Sequence, residues 1–527
     1  MSKDNSARSL AMAMGDAMED TIKSMGMVTV TSLTGRIQQW RAFGILMVGR
    51  LSIVLSAVAN VRLMTTCLLP AQVGRYSVMM AFALWFSLTL ISPAGNYINR
   101  QYMDWLYRGT LWHEFKRYAG LLALIASVAG LASFVAIRLK LLDLSMGVNE
   151  VVLCVVGILI FLTVNSMLIG SLNLLGHRDI YVLYTSATAW LSLACSVILT
   201  GFFGHQAELW IAGQVLGWAF VSVLAYLSLR RRVNAVVAPI EDASASRDGG
   251  PPHQGLWAFA WPLVISTSFY WFQVQGYRIE LEHWVGAAAI GLITTGLLLG
   301  ANPISIIDTL LGELLRPQYY KAIASNDRGT QEAAWSQMAA TFLTSLIPIT
   351  ILIGLSGPFL AAVLVGPPFQ SVAGFVLWGV LAEFIRAIYS LYLLAAQTRF
   401  HTKATLRPSV VGAVIVLVTI VPAAHWNLYT GTGLPLVLGM AGATIYLARS
   451  LRAVFTARLP IRRIVEGTMC SAPIALVLLG AHVLIPHPSF VASVSVLSIG
   501  AFVTLGVQAY LAYGWTNFRS ESMAGVA

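Results

Sequence analysis

Several ionisable side chains lie inside stretches of sequence that are otherwise apolar. Arg50 lies in the stretch 42–60, Glu383 and Arg386 lie near the middle of 372–396, and Asp308 ends 284–308. A charged side chain at the centre of a membrane span costs at least about 2.5–3.5 kcal/mol, so such residues normally face a partner or a polar cavity. Arginine in a cavity binds phosphate or sugar-acid oxygens through its parallel N–H donors. Arg50 and Arg386 are therefore candidates for anion binding, and Glu383 joins Arg386 as a candidate residue of the substrate site.

Each candidate also has a structural interpretation. Arg50 can extend to the membrane surface or form an internal ion pair instead of binding an anion. Glu383 and Arg386 are spaced i, i+3 and share one helix face. They form either a self-neutralising pair that stabilises helix packing, or a cavity pair in which Arg386 binds an anion once Glu383 is protonated. Asp308 either binds a cation or proton or forms an ion pair at its helix end, so Asp308 and Glu383 are the candidates for ion coupling.

Aromatic side chains are concentrated in the stretch 256–276. Tyr270 and Trp271 lie deep in it and are candidates for stacking on a sugar, whereas aromatic residues near the ends of a span are typical of interfacial belts. Just beyond, Arg278, Glu280 and Glu282 indicate a solvated outer loop. The four cysteines are far apart and have no metal-ligand spacing. No catalytic residue, metal or other cofactor is predicted.

The elements that must position these residues are membrane-spanning helices. The chain has 527 residues, of which 57% are hydrophobic and 10% charged, whereas soluble domains carry about 25% charged residues. This composition argues against a soluble enzyme, a nucleic-acid-binding protein and a secreted disulfide scaffold. Fourteen stretches are long enough to cross a bilayer as helices: 42–60, 77–97, 118–137, 151–170, 180–202, 208–228, 256–276, 284–308, 336–356, 372–396, 409–424, 433–449, 467–486 and 490–513.

The distribution of lysine and arginine predicts the orientation of these spans. With the N-terminus inside, 26 of the 33 Lys and Arg residues fall on the inner side and 5 on the outer side. Because cytoplasmic loops of membrane proteins are enriched in Lys and Arg, both termini are predicted to be cytoplasmic. This placement also explains the net charge of +11 without nucleic acid. The longest outer loop, around 357–371, is too short to fold as a domain.

The chain divides at a flexible linker into two parts that resemble each other faintly. Gly74 begins a pattern of glycine and arginine in the first part, and Gly291 begins a similar pattern in the second. Six spans precede the linker, which suggests parallel repeats of the kind found in transporters. The predicted divisions are a cytosolic or interfacial segment 1–41, an N-terminal lobe 42–228, a linker 229–255, a C-terminal lobe 256–449, a loop with two extra helices 450–513 and a cytosolic tail 514–527.

The same residues resemble the polysaccharide and O-antigen flippases of the multidrug/oligosaccharidyl-lipid/polysaccharide exporter superfamily. The resemblance covers most of the chain by its pattern of spans. Its motifs are residues 62–76, residues 93–100 and their counterparts in the second half, namely Pro262, Tyr277, Arg278, Gly291, Asn302 and Pro303. The resemblance implies an all-α, polytopic membrane protein with two six-helix lobes, two C-terminal helices and a central cavity open alternately to either side.

The resemblance also implies a function. Such proteins flip undecaprenyl-diphosphate-linked oligosaccharides across the bacterial inner membrane for O-antigen, capsule or exopolysaccharide synthesis, and they are not enzymes. Expected partners are the lipid-linked substrate, membrane lipids and other polysaccharide assembly proteins, but not nucleic acid. Three alternatives stay open: a cation-coupled multidrug exporter, a lipid II flippase, and a membrane glycan polymerase or ligase. The polymerase or ligase would require a large external loop, which the sequence lacks.

Overall fold

The structure is a computed structural model that describes residues 44, 47–140, 146–237, 256–323, 327–398, 405–452, 455 and 459–524. These residues form helices and connecting turns, with no strand among them. The predicted segment 1–41 and residues 238–255 of the predicted linker lie outside the described residues. The expected all-helical, multi-pass architecture is confirmed.

Eighteen α-helical segments follow one another through the described residues. The first half contains α1 (Met47–Cys67), α2 (Pro70–Phe86), α3 (Ser92–Tyr107), α4 (Leu111–Arg138), α5 (Val148–Gly157), α6 (Thr163–Leu174), α7 (Arg178–Phe203) and α8 (Ala207–Val237). The second half contains α9 (Leu256–Trp271), α10 (Tyr277–Ile323), α11 (Arg328–Leu355), α12 (Gly357–Leu364), α13 (Ala373–Thr398), α14 (Leu406–Trp426), α15 (Leu428–Leu451), α16 (Ile461–Cys470), α17 (Ala472–Leu484) and α18 (Phe490–Ala524).

Three pairs of these helices are continuous except for one π-helical turn. The turns are Ser87–Ile91 between α2 and α3, Ile158–Leu162 between α5 and α6, and Phe272–Gly276 between α9 and α10. The first ends just before Pro93, which has no N–H to donate to the carbonyl of Thr89. Such π-turns change the direction of the side chains that follow them and often occur at functional sites. The residues of these three turns are therefore candidates for lining a binding site.

The number of spans differs from the sequence prediction. By length and hydropathy, 12 described helices can cross a membrane, or 13 if α16 and α17, bent by 42°, form one span. The predicted count of 14 is therefore not confirmed. One of the 12 is the 54-residue segment Leu263–Arg316, which as a straight helix would be about 80 Å long, more than twice the hydrocarbon thickness. It breaks at Gly286 (φ 79°, ψ 161°), a left-handed backbone conformation that glycine adopts readily.

Two helices extend beyond the predicted spans. Helix α8 continues to Val237, so the first residues of the predicted linker are helical. Helix α18 continues to Ala524, into the predicted tail. The predicted outer loop 357–371 forms α12 and most of a 3₁₀ turn (Pro367–Val372). This region contacts α1, since Gly366 N–H donates to Thr65 Oγ1 at 3.0 Å and Arg62 donates to the carbonyl of Val365.

Helices α2 and α10 cross in direct backbone contact at Gly74 and Gly291. A Cβ atom on Gly74 would collide with the carbonyl oxygen of Ala287, and one on Gly291 would collide with that of Pro70. One turn further along each helix, the hydroxyls of Ser77 and Thr294 lie 3.0 Å apart. We call these contacts the glycine crossing. They join the two halves at the end of the bundle that the charge pattern predicts to be outside.

Candidate functional site

Close packing between α10 and α13 sets the position of the candidate site. A side chain on Gly300 would collide with the carbonyl of Val376, and one on Gly379 would collide with the carbonyl of Leu297. The two helices run parallel, because Gly296 lies against Val372, just before α13 begins, and Asp308 meets Arg386 further along both helices. Glycine thus lets the backbones approach closely, as in other membrane helix pairs. Two turns beyond Gly300, Asp308 reaches Arg386 of α13.

Arg386 is held by two carboxylates. Its Nη2 donates to Asp308 Oδ2 at 2.6 Å, and its Nε donates to Glu383 Oε1 at 2.8 Å. Nη1 donates to Ser390 Oγ at 3.3 Å. The side chains of Arg386, Asp308 and Glu383 are only 22%, 9% and 14% exposed. Since arginine stays protonated in proteins, the group carries a net negative charge when both carboxylates are ionised.

A cavity of about 400 Å³ borders this group. Its charged lining residues are Arg278, Glu383 and Arg386, and its other polar lining side chains are those of Tyr270, Gln273, Gln275, Tyr277 and Ser305. Apolar residues, among them Leu88 of the π-turn after α2, complete the walls. We call this space the charged cavity. Its lining therefore contains two guanidinium groups and one carboxylate.

The π-turn Phe272–Gly276 supplies two amide side chains to the cavity wall. Gln273 is buried, and its Nε2 lies 3.5 Å from Met440 Sδ. A side chain on Gly412 would collide with this amide, so glycine at 412 makes room for Gln273. The Oε1 atom of Gln275 is buried and accepts no hydrogen bond from the described residues. It can accept one from a bound hydroxyl or amide.

Arg278 completes the polar wall next to these amides. It is 8% exposed, its Nε lies 3.5 Å from Tyr277 Oη, and its guanidinium carbon lies 5.7 Å from the centre of the Tyr277 ring. The sequence indicated that Arg278, Glu280 and Glu282 form a solvated loop, and this interpretation is wrong for Arg278 and Glu282, which are both buried. The reason is that α10 begins at Tyr277, directly after the π-turn, so these residues belong to a packed helix.

The predicted site residues have different positions. Glu383, Arg386 and Tyr270 line the charged cavity. Asp308 lies behind Arg386 and does not line that cavity, but contacts it through the ion pair. Trp271 is buried outside the lining and donates from Nε1 to the carbonyl of Ala81 at 2.9 Å, which ties α9 to α2.

Arg50 lies away from the charged cavity. It forms an ion pair with Glu313 near the far end of α10, and both side chains are partly exposed, at 35% and 50%. This is the internal ion pair that the sequence left open for Arg50. A direct role of Arg50 in substrate binding stays a prediction.

Sequence reasoning missed Arg278, Gln273 and Gln275 as lining residues. A signal was available: Gln273, Gln275, Tyr277 and Arg278 interrupt the apolar end of the stretch 256–276 within six positions. Helical periodicity alone would spread them over different faces, and the π-turn changes that register. Among the described residues, no three His, Cys, Asp or Glu side chains converge as in a metal site.

Comparison with known proteins identifies the fold. No protein-family model and no curated protein matches the chain in sequence. Among solved structures, the lipid II flippase MurJ in an inward closed conformation aligns with a TM-score of 0.57 and 12% identity, covering 85% of this chain and 98% of MurJ. An inward-facing multidrug resistance MATE family transporter of the MOP superfamily aligns with a TM-score of 0.51 and 14% identity, covering 81% and 98%. Both neighbours are transporters or flippases and not enzymes, and this chain has their fold.

Proposed function

We propose that this protein flips undecaprenyl-diphosphate-linked oligosaccharides across the bacterial inner membrane, for O-antigen, capsule or exopolysaccharide synthesis. The observation that carries the proposal is the pair of arginines, Arg278 and Arg386, in a polar cavity among helices that are long and apolar enough to span a membrane. Guanidinium groups bind phosphate oxygens bidentately and stay charged at any physiological pH. The cavity therefore offers the diphosphate a substitute for water.

The physical problem of such a reaction is solvation. The sugars and the diphosphate do not enter hydrocarbon, and the polyprenyl chain does not leave it. A protein solves this problem by surrounding only the head group with polar side chains while the tail stays in lipid. The neutral amides of Gln273 and Gln275 and the hydroxyls of Tyr270 and Ser305 supply donors and acceptors for the sugar next to the arginines.

In the absence of substrate, Arg386 is paired with two carboxylates. Glu383 and Asp308 occupy three of its donor contacts, so an incoming phosphate must displace at least one carboxylate. Protonation of Glu383 or Asp308 weakens the ion pair and frees guanidinium N–H groups for phosphate. In this mechanism a proton binds together with the anionic substrate, and Glu383 and Asp308 carry the ion coupling.

Two related functions differ in what the cavity must bind. A cation-coupled multidrug exporter needs acidic side chains in excess over arginine, whereas the charged cavity has two arginines and one glutamate among its described lining residues. A lipid II flippase differs only in the sugar–peptide head group, and the fold shared with MurJ is compatible with it. Outer segments as short as α12 and its 3₁₀ turn provide no domain for glycan polymerisation or ligation.

The proposal includes location and partners. The chain is expected in the inner membrane with both termini in the cytoplasm, in contact with membrane lipids and other polysaccharide assembly proteins. It needs no nucleic acid and no cofactor.

A gene deletion tests the proposed function. We expect the deletion strain to lose surface polysaccharide and to accumulate lipid-linked repeat units on the inner leaflet, and we expect the wild-type gene to restore both. Arg386→Lys made at wild-type levels should restore neither fully, because an ammonium cannot bind phosphate with the guanidinium fork. Unchanged surface glycan with increased drug sensitivity would instead favour the multidrug exporter. Unchanged polysaccharide with impaired peptidoglycan synthesis would favour the lipid II flippase.

A further inference from the structure

A second polar cavity lies in the first half of the molecule and has no part in the site described above. It has a volume of about 300 Å³ and lies between α3, α4 and α6. Its polar lining comprises Ser87, Ser92, Asn96, Asn99, Tyr118, Thr163 and Ser166. None of its described lining side chains is charged. We call it the neutral cavity.

One face of α3 provides most of the polar groups. Ser92, Asn96 and Asn99 are spaced i, i+4, i+7, so they point in one direction from the helix, and all three are exposed. Neither asparagine amide forms a hydrogen bond with the described residues. Ser92 and Asn96 lie within the candidate span Pro70–Asn99 and Asn99 is its last residue, and an unpaired amide facing hydrocarbon is strongly unfavourable. The face is therefore suited to a polar ligand or water and not to lipid.

The two cavities share one wall. In the π-turn after α2, Leu88 lines the charged cavity, while Ser87 and Ile91 line the neutral cavity. The wall is also fixed to the second half, because Trp85 Nε1 donates to Ser268 Oγ of α9 at 3.2 Å. A single helix, about 10 Å across with its side chains, therefore separates the two spaces.

Their chemistry differs in a way that fits one ligand with two parts. Arginine binds the anionic part, whereas asparagine, serine and threonine offer both donors and acceptors to hydroxyl and acetamido groups of a sugar. We propose that the neutral cavity binds a distal, uncharged sugar of the oligosaccharide whose diphosphate binds in the charged cavity, because the helix between the two cavities is wider than one sugar. This inference rests on the proposed function and adds a second, sugar-specific subsite in the N-terminal half.

Equilibrium binding of two lipids to the purified full-length chain in nanodiscs tests this inference. The probes are undecaprenyl diphosphate without sugar and undecaprenyl diphosphate carrying a neutral oligosaccharide that ends in an N-acetylhexosamine. Asn96→Ala/Asn99→Ala should weaken binding of the sugar-bearing lipid about tenfold, as expected for two lost hydrogen bonds, and change binding of the sugar-free lipid less than twofold. Arg386→Lys should weaken binding of both lipids.

Two further variants keep the test specific. Asn173→Ala is the matched control, because Asn173 is an exposed asparagine of α6 outside the cavity lining, and it should bind both lipids like the wild type. Ser166→Ala removes one hydroxyl from the opposite wall and should weaken only the sugar-bearing lipid, about threefold. It serves as the test if the double variant does not fold.

The outcomes separate the two proposals. If the wild type binds both lipids equally, or if the asparagine and serine variants bind the sugar-bearing lipid normally, the neutral cavity is not a sugar subsite, although the charged cavity can still bind diphosphate. If these variants lose affinity equally for both lipids, the inference is also overturned, because such a loss indicates a general disturbance of the structure. If the wild type binds neither lipid, the proposed function itself fails.

Discussion

The two halves of the molecule are nearly equivalent where α2 crosses α10 and different where they form cavities. At the glycine crossing, Gly74 and Gly291 each oppose the carbonyl four residues before the other, and Ser77 pairs with Thr294. The charged cavity of the second half has two arginines and a glutamate in its lining, whereas the described lining of the neutral cavity has no charge.

If the protein acts as a flippase, as we propose, this difference separates the demands of movement from those of binding. Two lobes that rock about a common contact need a crossing that both helices can share, and paired glycines provide it on each side. A ligand with an anionic part and a neutral part has no such symmetry, so the cavities that hold it can differ. We therefore expect substitutions at the crossing to act in equivalent pairs and substitutions in the cavities to act differently.

The largest expected effect comes from removing the cation of the charged cavity. Arg386→Met leaves Asp308 and Glu383 as unpaired, largely buried carboxylates, so it should lower the free energy of unfolding by about 3–5 kcal/mol. Thermal unfolding in detergent measures this loss.

Arg117→Met is the matched control for this change. Arg117 also pairs with a glutamate at i, i+3, namely Glu114, but its side chain is 70% exposed, so the loss should stay below about 1 kcal/mol. Equal losses in the two variants would show that the charged cavity is no more sensitive than the surface.

Adding one methyl group on either side of the crossing should give the next largest effect. Gly74→Ala and Gly291→Ala each force a Cβ into a backbone carbonyl, which should cost about 1–3 kcal/mol through displacement of α2 from α10. Gly120→Ala on α4 is the control, since nothing lies within 4 Å of the added atom. Chemical denaturation measures the free energy of unfolding of all three variants. Clearly unequal losses at positions 74 and 291 would show that the two halves are not equivalent at the crossing.

The hydroxyl pair tests the same equivalence more finely. Thr294 already donates to the carbonyl of Ile290 at 2.8 Å, so Ser77 is the donor to Thr294. Ser77→Ala and Thr294→Val should each lower stability by about 0.5–1.5 kcal/mol, and the double variant should lose less than the sum. Ser127→Ala, whose hydroxyl bonds only within α4, provides the baseline. Strict additivity would mean that the two hydroxyls do not interact.

The smallest change is expected outside both cavities and the crossing. Asp327 caps α11, with Oδ2 accepting from the N–H of Thr330 at 2.8 Å and Oδ1 from that of Gly329 at 3.3 Å. Hydrogen bonds from the Thr330 hydroxyl and from these backbone groups hold the pKa of Asp327 below its usual value.

This lowered pKa fixes the sign of the pH dependence. Because the folded-state pKa lies below the unfolded one, the stabilisation is present above the usual aspartate pKa and is lost as the pH falls through the lowered value. Asp327→Asn should keep the cap and remove this pH dependence, whereas Asp327→Ala should lose the cap. Unfolding curves between pH 2 and 7 check this, and an unchanged pH profile in Asp327→Asn would contradict it.

The fold was largely predictable, because long apolar stretches with Lys and Arg on one side leave few alternatives to a helical bundle. The neighbourhood of Glu383 and Arg386 could be predicted from their i, i+3 spacing. The partner of Arg386 on α10 could not, because Asp308 reaches it only through glycine packing at positions 300 and 379, far apart in sequence. The spacing pointed to Gly74 and Gly291 as equivalent positions, but only the packing of α2 on α10 brings them together.

The central claim is that guanidinium groups in the charged cavity bind the diphosphate of a lipid-linked oligosaccharide during its translocation. The most direct measurement is the rate at which a fluorescent undecaprenyl-diphosphate oligosaccharide crosses the bilayer of proteoliposomes containing the wild type, Arg386→Lys or Arg117→Lys. We expect the wild type and Arg117→Lys to accelerate crossing equally, and Arg386→Lys, which keeps the charge but loses the fork, to be at least about tenfold slower. Wild-type rates with Arg386→Lys, or no acceleration by the wild type, would contradict the account.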